Sequence, residues 1–168
     1  MDEQIDLYDE NRQKLGITIN REGAFLEEGQ FMLYILAVIQ NAEGKYLITQ
    51  RGQSKSWGAG WWEVTGGGVR AGETTRDAVV REVDEEVGLD VSACELEPVD
   101  SYVNVDIKHG SNYIVDIFNF TLDFKPEDLT LLECEIDAFD LVDWDRIVEL
   151  HEQGIFLHFE RLRHALGK

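Results

Sequence analysis

The sequence predicts an α+β fold, in which a mixed and mostly antiparallel β-sheet is covered by helices. Residues 31–40 (FMLYILAVIQ) form an almost continuous apolar run with the length of a strand buried on both faces. Strand-like segments lie on both sides of one helical segment, and two further helical segments follow them. The chain has 168 residues, which suffice for one well-buried core and are few for two. We therefore expect a single domain over residues 1–168, with residues 1–30 as an N-terminal arm.

The N-terminal arm is polar, and turn-forming residues at 11–16 indicate a small hairpin within it. We expect the arm to pack on the body through four apolar side chains, those of Ile5, Leu7, Tyr8 and Phe25. The strand at 31–40 then turns into a second strand at 45–51 (KYLITQR), so that the two form a hairpin. A polar loop follows at 52–60, and residues 61–67 (WWEVTGG) alternate as a short strand.

The second half of the chain begins with a helix that ends at Gly88, where a C-cap glycine is expected. Residues 95–107 and 112–124 alternate between polar and apolar side chains, which predicts two strands joined by a hairpin loop. A last short strand is predicted at 138–144 (AFDLVDW). Two closing helices are predicted at 144–150 and 156–166.

The composition is strongly acidic, with a formal net charge of −19. Such a surface repels nucleic acid and anionic membranes, so a phosphate ligand would need a local cation site. Cys94 and Cys134 show neither metal-binding spacing nor a disulfide framework, which fits a reducing compartment. The acidic N-terminus is no signal peptide, and no apolar run has membrane-spanning length. We therefore expect a cytoplasmic protein with no nucleic-acid or membrane partner.

Three glutamates share one face of the predicted helix. At about 100° per residue, Glu82, Glu85 and Glu86 fall at roughly 0°, 300° and 40° around the axis. The adjoining face is apolar and carries Val79, Val80, Val83 and Val87. Carboxylates crowded beside an apolar face repel one another and resist burial unless a cation neutralises them. The alternative is a solvated acidic face in a chain with 34 acidic residues, but the spacing of the glycines, glutamates and arginine over the whole segment argues against it.

That spacing extends from Gly67 to Leu89 (GGVRAGETTRDAVVREVDEEVGL). Glu73 lies six residues after Gly67, and the Arg81–Glu82 pair follows eight and nine residues after Glu73. The segment resembles the Nudix box of the Nudix hydrolase family at every defined position. The order of the flanking strands also resembles the Nudix fold, which implies a β-sheet packed between helices in an α/β/α sandwich.

The resemblance implies a role for each conserved position of the box. The carbonyl of Gly67 and the carboxylates of Glu82 and Glu86 would bind Mg²⁺ or Mn²⁺, hard cations that prefer oxygen ligands. Glu85 would be a further ligand or a catalytic base. The expected catalytic set is completed by an ion pair that orients the glutamates, formed by Arg81 and Glu73.

Outside the box, several residues are candidates for substrate binding. Arg51 and Arg70 can contact phosphates, although each can instead pair with a neighbouring carboxylate. Trp57 can stack on a base or another planar group, whereas Trp61 or Trp62 is expected in the core.

A second group of acids precedes the last predicted strand, where Nudix hydrolases often carry an additional metal ligand or base. It consists of Glu133, Glu135 and Asp137. Ordinary loop acidity is an equal alternative for all three. His109 is expected to be a surface histidine of a hairpin loop.

The region from Ile5 to the end of the box resembles the Nudix branch that includes the isopentenyl diphosphate isomerases. That branch also includes hydrolase-like relatives, and its isomerases use a cysteine and a histidine-containing metal site before the box, whereas here the first cysteine is Cys94 and the first histidine is His109. We therefore expect metal-dependent hydrolysis of a diphosphate linkage in a nucleoside diphosphate joined to another moiety, or in a related small organic diphosphate. The alternatives are an isomerase-like enzyme and a non-catalytic Nudix-type ligand-binding domain.

The partner is expected to be a small phosphorylated molecule. Capped RNA is disfavoured because no basic stripe is visible. A specificity for ADP-ribose is not predicted, since the only proline near the box on its C-terminal side, Pro98, lies closer than in that branch. A homodimer in which the arm is exchanged between subunits is a further hypothesis.

Overall fold

A computed structural model describes residues 3–168 of the chain. These residues contain nine strands and three α-helices. The strands are β1 Gln4–Tyr8, β2 Lys14–Asn20, β3 Met32–Gln40, β4 Tyr46–Arg51, β5 Trp62–Glu63, β6 Thr65–Gly68, β7 Pro98–Asn104, β8 Tyr113–Thr121 and β9 Ile136–Val142. The helices are α1 Thr75–Val87, α2 Trp144–Glu152 and α3 Phe159–Ala165. None of these helices is long and apolar enough to cross a membrane.

The apolar strand β3 is the centre of a mixed seven-stranded sheet. It pairs with β8 in parallel over its whole length, from Met32 opposite Tyr113 to Gln40 opposite Thr121. All other pairings in this sheet are antiparallel: β7 continues it beyond β8, and β9 pairs with β4. The prediction of a mixed, mostly antiparallel sheet is therefore confirmed.

The segment predicted as one strand over residues 61–67 is divided at Val64, and the prediction is wrong in this respect. β5 pairs with β4, whereas β6 pairs with the first half of β3. Because β6 occupies that edge of β3, the predicted hairpin of β3 and β4 is reduced to the pair Gln40–Tyr46. The two strands are joined only next to their turn, and the cleft described below is lined by residues of β3, β4, β5 and β6.

Helices cover both faces of the sheet and confirm the α/β/α sandwich. On one face, the apolar side of α1 packs against alternate residues of β3 in a core that includes Ile35, Ala37, Val79, Val83 and Val87. On the other face, α2 and α3 pack against the intervening residues in a core that includes Leu36, Val38, Ile147, Phe159 and Leu162. The double-sided burial of β3 explains its continuous apolar sequence.

The N-terminal arm forms the predicted hairpin, with β1 and β2 paired antiparallel. Its side chains Ile5 and Leu7 are buried together with Leu26, and Tyr8 joins the core beside α1. Phe25 contacts the body at Gly110 but does not join a core, because its side chain is 62% exposed and the next residue, Leu26, takes the buried position.

The turn of this hairpin is fastened to the centre of the sheet by an ion pair. Arg12, whose φ is 62°, donates hydrogen bonds to both carboxylate oxygens of Asp116 in β8. It also donates to the hydroxyl of Ser101 in β7 at 2.6 Å. Asp116 is only 2% exposed, whereas Arg12 is 39% exposed. The hairpin therefore supplies the positive charge that this buried carboxylate requires.

Replacing Arg12 with glutamine should destabilise the protein by about 2 kcal/mol, because it leaves the carboxylate of Asp116 buried without a cation. Guanidinium unfolding monitored by circular dichroism measures the effect. The double variant Arg12→Gln, Asp116→Asn should regain much of the loss, since no unpaired charge remains. A single variant as stable as the wild type would show that the ion pair does not contribute.

Candidate active site

The site is built around β6, a strand of three consecutive glycines that has no room for side chains. A Cβ at Gly66 would come within 2.8 Å of the carbonyl oxygen of Ile35 in β3. A Cβ at Gly67 would overlap the carboxylate of Glu82 in α1. The glycines thus let the strand lie between β3 and α1, with the backbone of Gly67 directly against a glutamate of the helix.

Helix α1 begins and ends where local sequence signals place it. Thr74 is its N-cap, and Thr74 and Asp77 form a reciprocal capping box. Gly88 is the C-cap with φ of 73°, which confirms the predicted left-handed glycine. These two caps determine where the helix begins and ends relative to β6. Glu82 and Glu86 lie beside the glycine strand as a result.

The predicted ion pair of Arg81 and Glu73 is present and is bidentate. Arg81 donates to the two carboxylate oxygens of Glu73 at 2.6 and 2.8 Å. The same guanidinium donates to the carbonyl of Gly68 at 2.9 Å and to Glu82 at 2.7 Å. Arg81 therefore connects the loop before α1, the glycine strand and Glu82 of the helix, which fits an orienting role.

Glu82 and Glu86 lie one helical turn apart on the side of α1 that faces β6. Burial raises the pKa of Glu82, although the neighbouring Arg81 opposes this effect. The pKa of Glu86 is raised well above its usual value by burial and by the negative charges of Glu82, Glu63 and Glu135, while a hydrogen bond from the backbone of Gly66 opposes the shift. Four carboxylates thus act on one another in a partly desolvated place.

Glu85 lies on the flank of this pair and is bound by two arginines. Arg70 donates to its carboxylate oxygens at 3.1 and 3.3 Å, and Arg81 donates to it at 3.3 Å. Arg70 also donates to Glu3 of the N-terminal arm at 3.0 Å. The alternative that Arg70 pairs with neighbouring carboxylates is thus observed in this structure.

Two further cation–carboxylate pairs stand beside Glu86. Arg51 of β4 donates to Glu63 of β5 at 2.9 Å, and Lys55 of the following loop donates to Glu135 at 2.6 Å. Burial raises the pKa of Glu63 despite the charge of Arg51. Of the second group of predicted acids, Glu135 lines the site directly before β9, whereas Glu133 and Asp137, the latter within β9, are exposed and do not line it.

One open cavity of about 1090 Å³ is lined by the carboxylates of Glu63, Glu82, Glu85, Glu86 and Glu135 and by their cationic partners Arg51, Lys55 and Arg70. Its second wall is aromatic and lies on the sheet: Tyr34 of β3 and Tyr102 of β7 stand opposite the same residue of β8, Val115. Tyr113 meets Tyr34 edge-to-face with ring centroids 5.5 Å apart. Trp57 lies at the rim, 61% exposed, with the guanidinium of Arg51 5.6 Å from its ring centre.

The structure brings most of the predicted site residues to this cavity. The predicted residues that line it are Arg51, Trp57, Gly67, Arg70, Glu82, Glu85 and Glu86. Arg81 and Glu73 lie behind this lining and contact it through Glu82 and Glu85. Trp62 is half-buried in the core beside α2 and α3, as expected for one of the two adjacent tryptophans. His109 is exposed and pairs with Asp106, as expected for a loop histidine.

Sequence reasoning missed several lining residues. They are Glu3, Arg21, Tyr34, Lys55, Glu63, Tyr102, Tyr113 and His158. Glu63 carried a usable signal, because it stands in the short strand directly before the glycines. Burial and the charge of Arg51 lower the pKa of His158, whose backbone is left-handed with φ of 61°.

The donor set fits a hard divalent cation, although the side chains are not closed around one. Among residues 3–168, no three His, Cys, Asp or Glu side chains are arranged to hold a metal ion. Glu82 is turned to Arg81 and Glu85 to two arginines, so these carboxylates are engaged elsewhere. Glu86, in contrast, stands among three other acids, and the backbone beside it is free of side chains. Carboxylate and carbonyl oxygens in such a place are the ligands that Mg²⁺ prefers.

Comparison with known proteins decides the family. A NUDIX domain model matches residues 31–162. An uncharacterized Nudix hydrolase of Listeria monocytogenes is 30% identical over 158 residues, which are 94% of this chain and 89% of that protein. The chain belongs to the Nudix hydrolase family. It is a Nudix-type pyrophosphohydrolase, and its resemblance to the isopentenyl diphosphate isomerase branch remains a prediction.

Other Nudix proteins match in part or in fold. The CTP pyrophosphohydrolase of Escherichia coli is 41% identical over 64 residues, which are 38% of this chain and 47% of that enzyme. A crystal structure of a Deinococcus radiodurans protein has a TM-score of 0.70 at 23% identity and covers 89% of this chain and 90% of its own. The NUDIX domain of Shewanella oneidensis NrtR, complexed with ADP-ribose, has a TM-score of 0.60 at 14% identity, covering 88% and 94%. The last two likenesses concern the fold alone.

The Nudix family generally uses divalent metal ions and acts on small phosphorylated molecules, and the cavity has the composition that such ligands require. Its acids are grouped beside β6, and its arginines surround them. The predicted residues of the box thus lie where the family resemblance puts the chemistry.

The charge of Glu86 should destabilise this Nudix hydrolase when no metal ion is bound. A carboxyl group whose pKa is raised by folding binds more protons in the folded state, so stability falls as the pH rises above the usual value of 4.5. We therefore expect Glu86→Gln to melt at a higher temperature than the wild type at pH 7 in the presence of a chelator.

This difference should shrink as the pH falls and disappear well below pH 4.5, where the carboxyl group is protonated in both the folded and the unfolded chain. Differential scanning calorimetry at several pH values measures it. The matched control is Asp84→Asn, which removes an exposed carboxylate from the same helix. A Glu86 variant that melts below the wild type at pH 7 would contradict the expectation.

Proposed function

We propose that this protein hydrolyses a diphosphate linkage in a nucleoside diphosphate joined to another moiety, or in a related small organic diphosphate, with Mg²⁺ or Mn²⁺ as cofactor. One observation carries the proposal. The partly buried carboxylates of Glu82 and Glu86 stand against the bare backbone of Gly66 and Gly67, in a cavity that is also lined by Arg21, Arg51 and Arg70.

The cation would be held by the carbonyl of Gly67 and by Glu82 and Glu86. When bound, it supplies the positive charge that screens the diphosphate and the Lewis acidity that activates a water molecule. Glu85 is a candidate for a further ligand or for the base that takes the proton of the attacking water. Arg81 and Glu73 position these glutamates and do not touch the substrate.

The ion pairs of the cavity explain how a protein with a net charge of −19 accommodates an anionic substrate. Arg51, Lys55 and Arg70 each pair with a carboxylate that lines the same cavity. A cation that takes Glu85 as a further ligand would weaken the pair of Glu85 with Arg70, so that Arg70 can turn to a phosphate. Phosphate binding would thus depend on prior or simultaneous binding of the cation.

The aromatic wall favours a substrate with a planar group. Tyr34, Tyr102 and Tyr113 offer half-buried rings on one side, and Trp57 offers an exposed ring at the rim. A cavity of about 1090 Å³ has room for a nucleoside together with two phosphates. Cys94 and Cys134 lie outside the cavity, and no observation favours the isomerase alternative.

A cytoplasmic location and a homodimer with exchanged arms also remain proposals. The contacts that an exchanged arm would make with a second subunit are made here within one chain, by Ile5, Leu7 and the Arg12–Asp116 ion pair.

The proposal is tested by incubating the protein with a panel of nucleotide sugars, nucleoside triphosphates, dinucleotides and isoprenoid diphosphates. Each substrate is supplied with Mg²⁺, with Mn²⁺ and with a chelator, and the release of phosphate or nucleotide is measured. Hydrolysis of at least one nucleoside substrate that depends on the metal supports the proposal. Turnover in the presence of the chelator, or none with any substrate, would overturn it.

Replacing Glu86 with glutamine should lower kcat/KM for the best substrate by about a thousandfold or more, because it removes a charged ligand of the cation. The fold should persist, since the two residues have similar helix propensities. Asp84→Asn serves as the control and should retain the activity of the wild type, because Asp84 is exposed on the opposite side of the helix. Equal activities of the Glu86 variant and the control would refute the assigned role.

Replacing Tyr102 with leucine should raise KM for nucleoside substrates by roughly tenfold, the equivalent of one aromatic stacking interaction. Tyr102 lies on an outer strand of the sheet, and Tyr102→Phe keeps the ring and should retain most of the affinity. An isoprenoid diphosphate, which has no planar ring, is the control substrate. If both substrates were affected equally, the wall would not distinguish planar groups.

A further inference from the structure

The N-terminal hairpin contributes directly to the cavity, although it lies outside the matched residues 31–162 of the NUDIX domain. Glu3, Gln4 and Arg21 all line the cavity. These residues lie at the open ends of β1 and β2, next to the glycine strand and away from the turn that carries Arg12. The hairpin is therefore part of the wall of the site and not only a cover for the core.

The guanidinium of Arg21 is held beside the Nudix box in a defined orientation. It donates to Glu3 at 2.6 Å and to the hydroxyl of Tyr34 at 3.2 Å, and it lies 5.1 Å from the centre of the Tyr34 ring. A Cβ at Gly68 would come within 2.9 Å of its terminal nitrogen. The third glycine of β6 thus leaves the space that this arginine occupies.

Glu3 holds Arg21 next to a second arginine. Its two carboxylate oxygens accept hydrogen bonds from Arg21 and from Arg70, respectively. Burial opposes ionisation, but the two guanidinium groups lower the pKa of Glu3 below its usual value. The shared carboxylate thus keeps two guanidinium groups side by side at one border of the cavity. Arg70 in turn contacts Glu85 of the box, so this pair of arginines lies next to the carboxylate cluster.

Arg21 contacts both the hairpin and the body. Its ion-pair partner, Glu3, belongs to the same hairpin, whereas Tyr34, which accepts a hydrogen bond from it, belongs to β3. The arm is also joined to the body by Arg12 with Asp116, by the backbone pairing of Tyr8 with Phe31 and by the hydrogen bond from Gly72 to Asp6. The side chain of Arg21 is 34% exposed and lines the cavity, so its guanidinium is accessible to a ligand there.

We propose that Arg21 is a substrate-binding residue that contacts a phosphate of the diphosphate, delivered to the site by the N-terminal hairpin. The inference rests on the proposed function and adds a residue that the box does not contain. A planar guanidinium donates two parallel hydrogen bonds to phosphate oxygens, and Tyr34 and Gly68 keep that of Arg21 in place on two sides. Binding of the phosphate replaces the contact of Arg21 with Glu3.

The test is calorimetric titration with methylenediphosphonate, a diphosphate analogue that resists hydrolysis, in the presence of Mg²⁺. Wild type, Arg21→Gln and Arg21→Lys are compared with Lys14→Gln, which removes a positive charge from the same hairpin outside the cavity. We expect Arg21→Gln to weaken binding by about tenfold or more, since a hydrogen bond to a charged group is lost. Arg21→Lys should recover part of this affinity, and Lys14→Gln should bind like the wild type.

Two further measurements separate binding from structure. Titration with Mg²⁺ alone should give the same affinity for wild type and Arg21→Gln, and their thermal unfolding should be alike. Unchanged affinity of Arg21→Gln for the analogue would overturn the inference, as would an equal loss of Mg²⁺ affinity. A wild type that binds no analogue would overturn it too. Failure of the proposed function has a different signature, because the enzyme would then hydrolyse no substrate of the panel whatever the variants bind.

Discussion

The structure depends on how closely β6 approaches its neighbour in the sheet, β3, and the helix α1 that packs beside it. Three of the four residues of β6 are glycines, and the backbone of Gly66 and Gly67 therefore lies against β3 and against Glu82, the first glutamate of α1. Arg81 strengthens this contact, because its guanidinium bridges the carbonyl of Gly68, Glu73 and Glu82. A methyl group at Gly67 would already separate helix and strand. The position of α1, and with it the positions of Glu82, Glu85 and Glu86, therefore depends on the lack of a side chain at Gly67.

The cavity combines charges of both signs that are balanced within a few ångströms. Its cations are paired with its own carboxylates, and Glu86 is left among negative charges. Such an arrangement is unfavourable for the empty protein and favourable for a complex in which a divalent ion and a diphosphate enter together. The two ligands bring opposite charges, so they can replace the existing ion pairs one for one.

Much of the site was predictable because the box is local in sequence. Fixed intervals on one helix determine that Glu82, Glu85 and Glu86 share a face, and the pairing of Arg81 with Glu73 spans only eight residues. The α+β class and the mixed sheet also followed from the apolar run and the order of the segments. These features depend on helical and strand periodicity, which a single sequence contains.

The remaining features depend on contacts between distant segments. Lys55 and Glu135 are 80 residues apart, and Arg12 and Asp116 are 104 residues apart, so no local pattern relates them. The division of residues 61–67 into two strands was missed because it results from competition between β3 and β4 for partners. The tyrosine wall was missed because Tyr34 and Tyr102 become neighbours only through β8.

The anchored hairpin has a consequence for the way the domain is delimited. A boundary drawn at residue 31, where the match to the NUDIX domain model begins, retains the whole box and every residue of α1. It also removes the partner of a carboxylate in the middle of the sheet and one wall of the cavity. In this chain the residues that form the Nudix box and the residues that form the complete cavity thus have different borders.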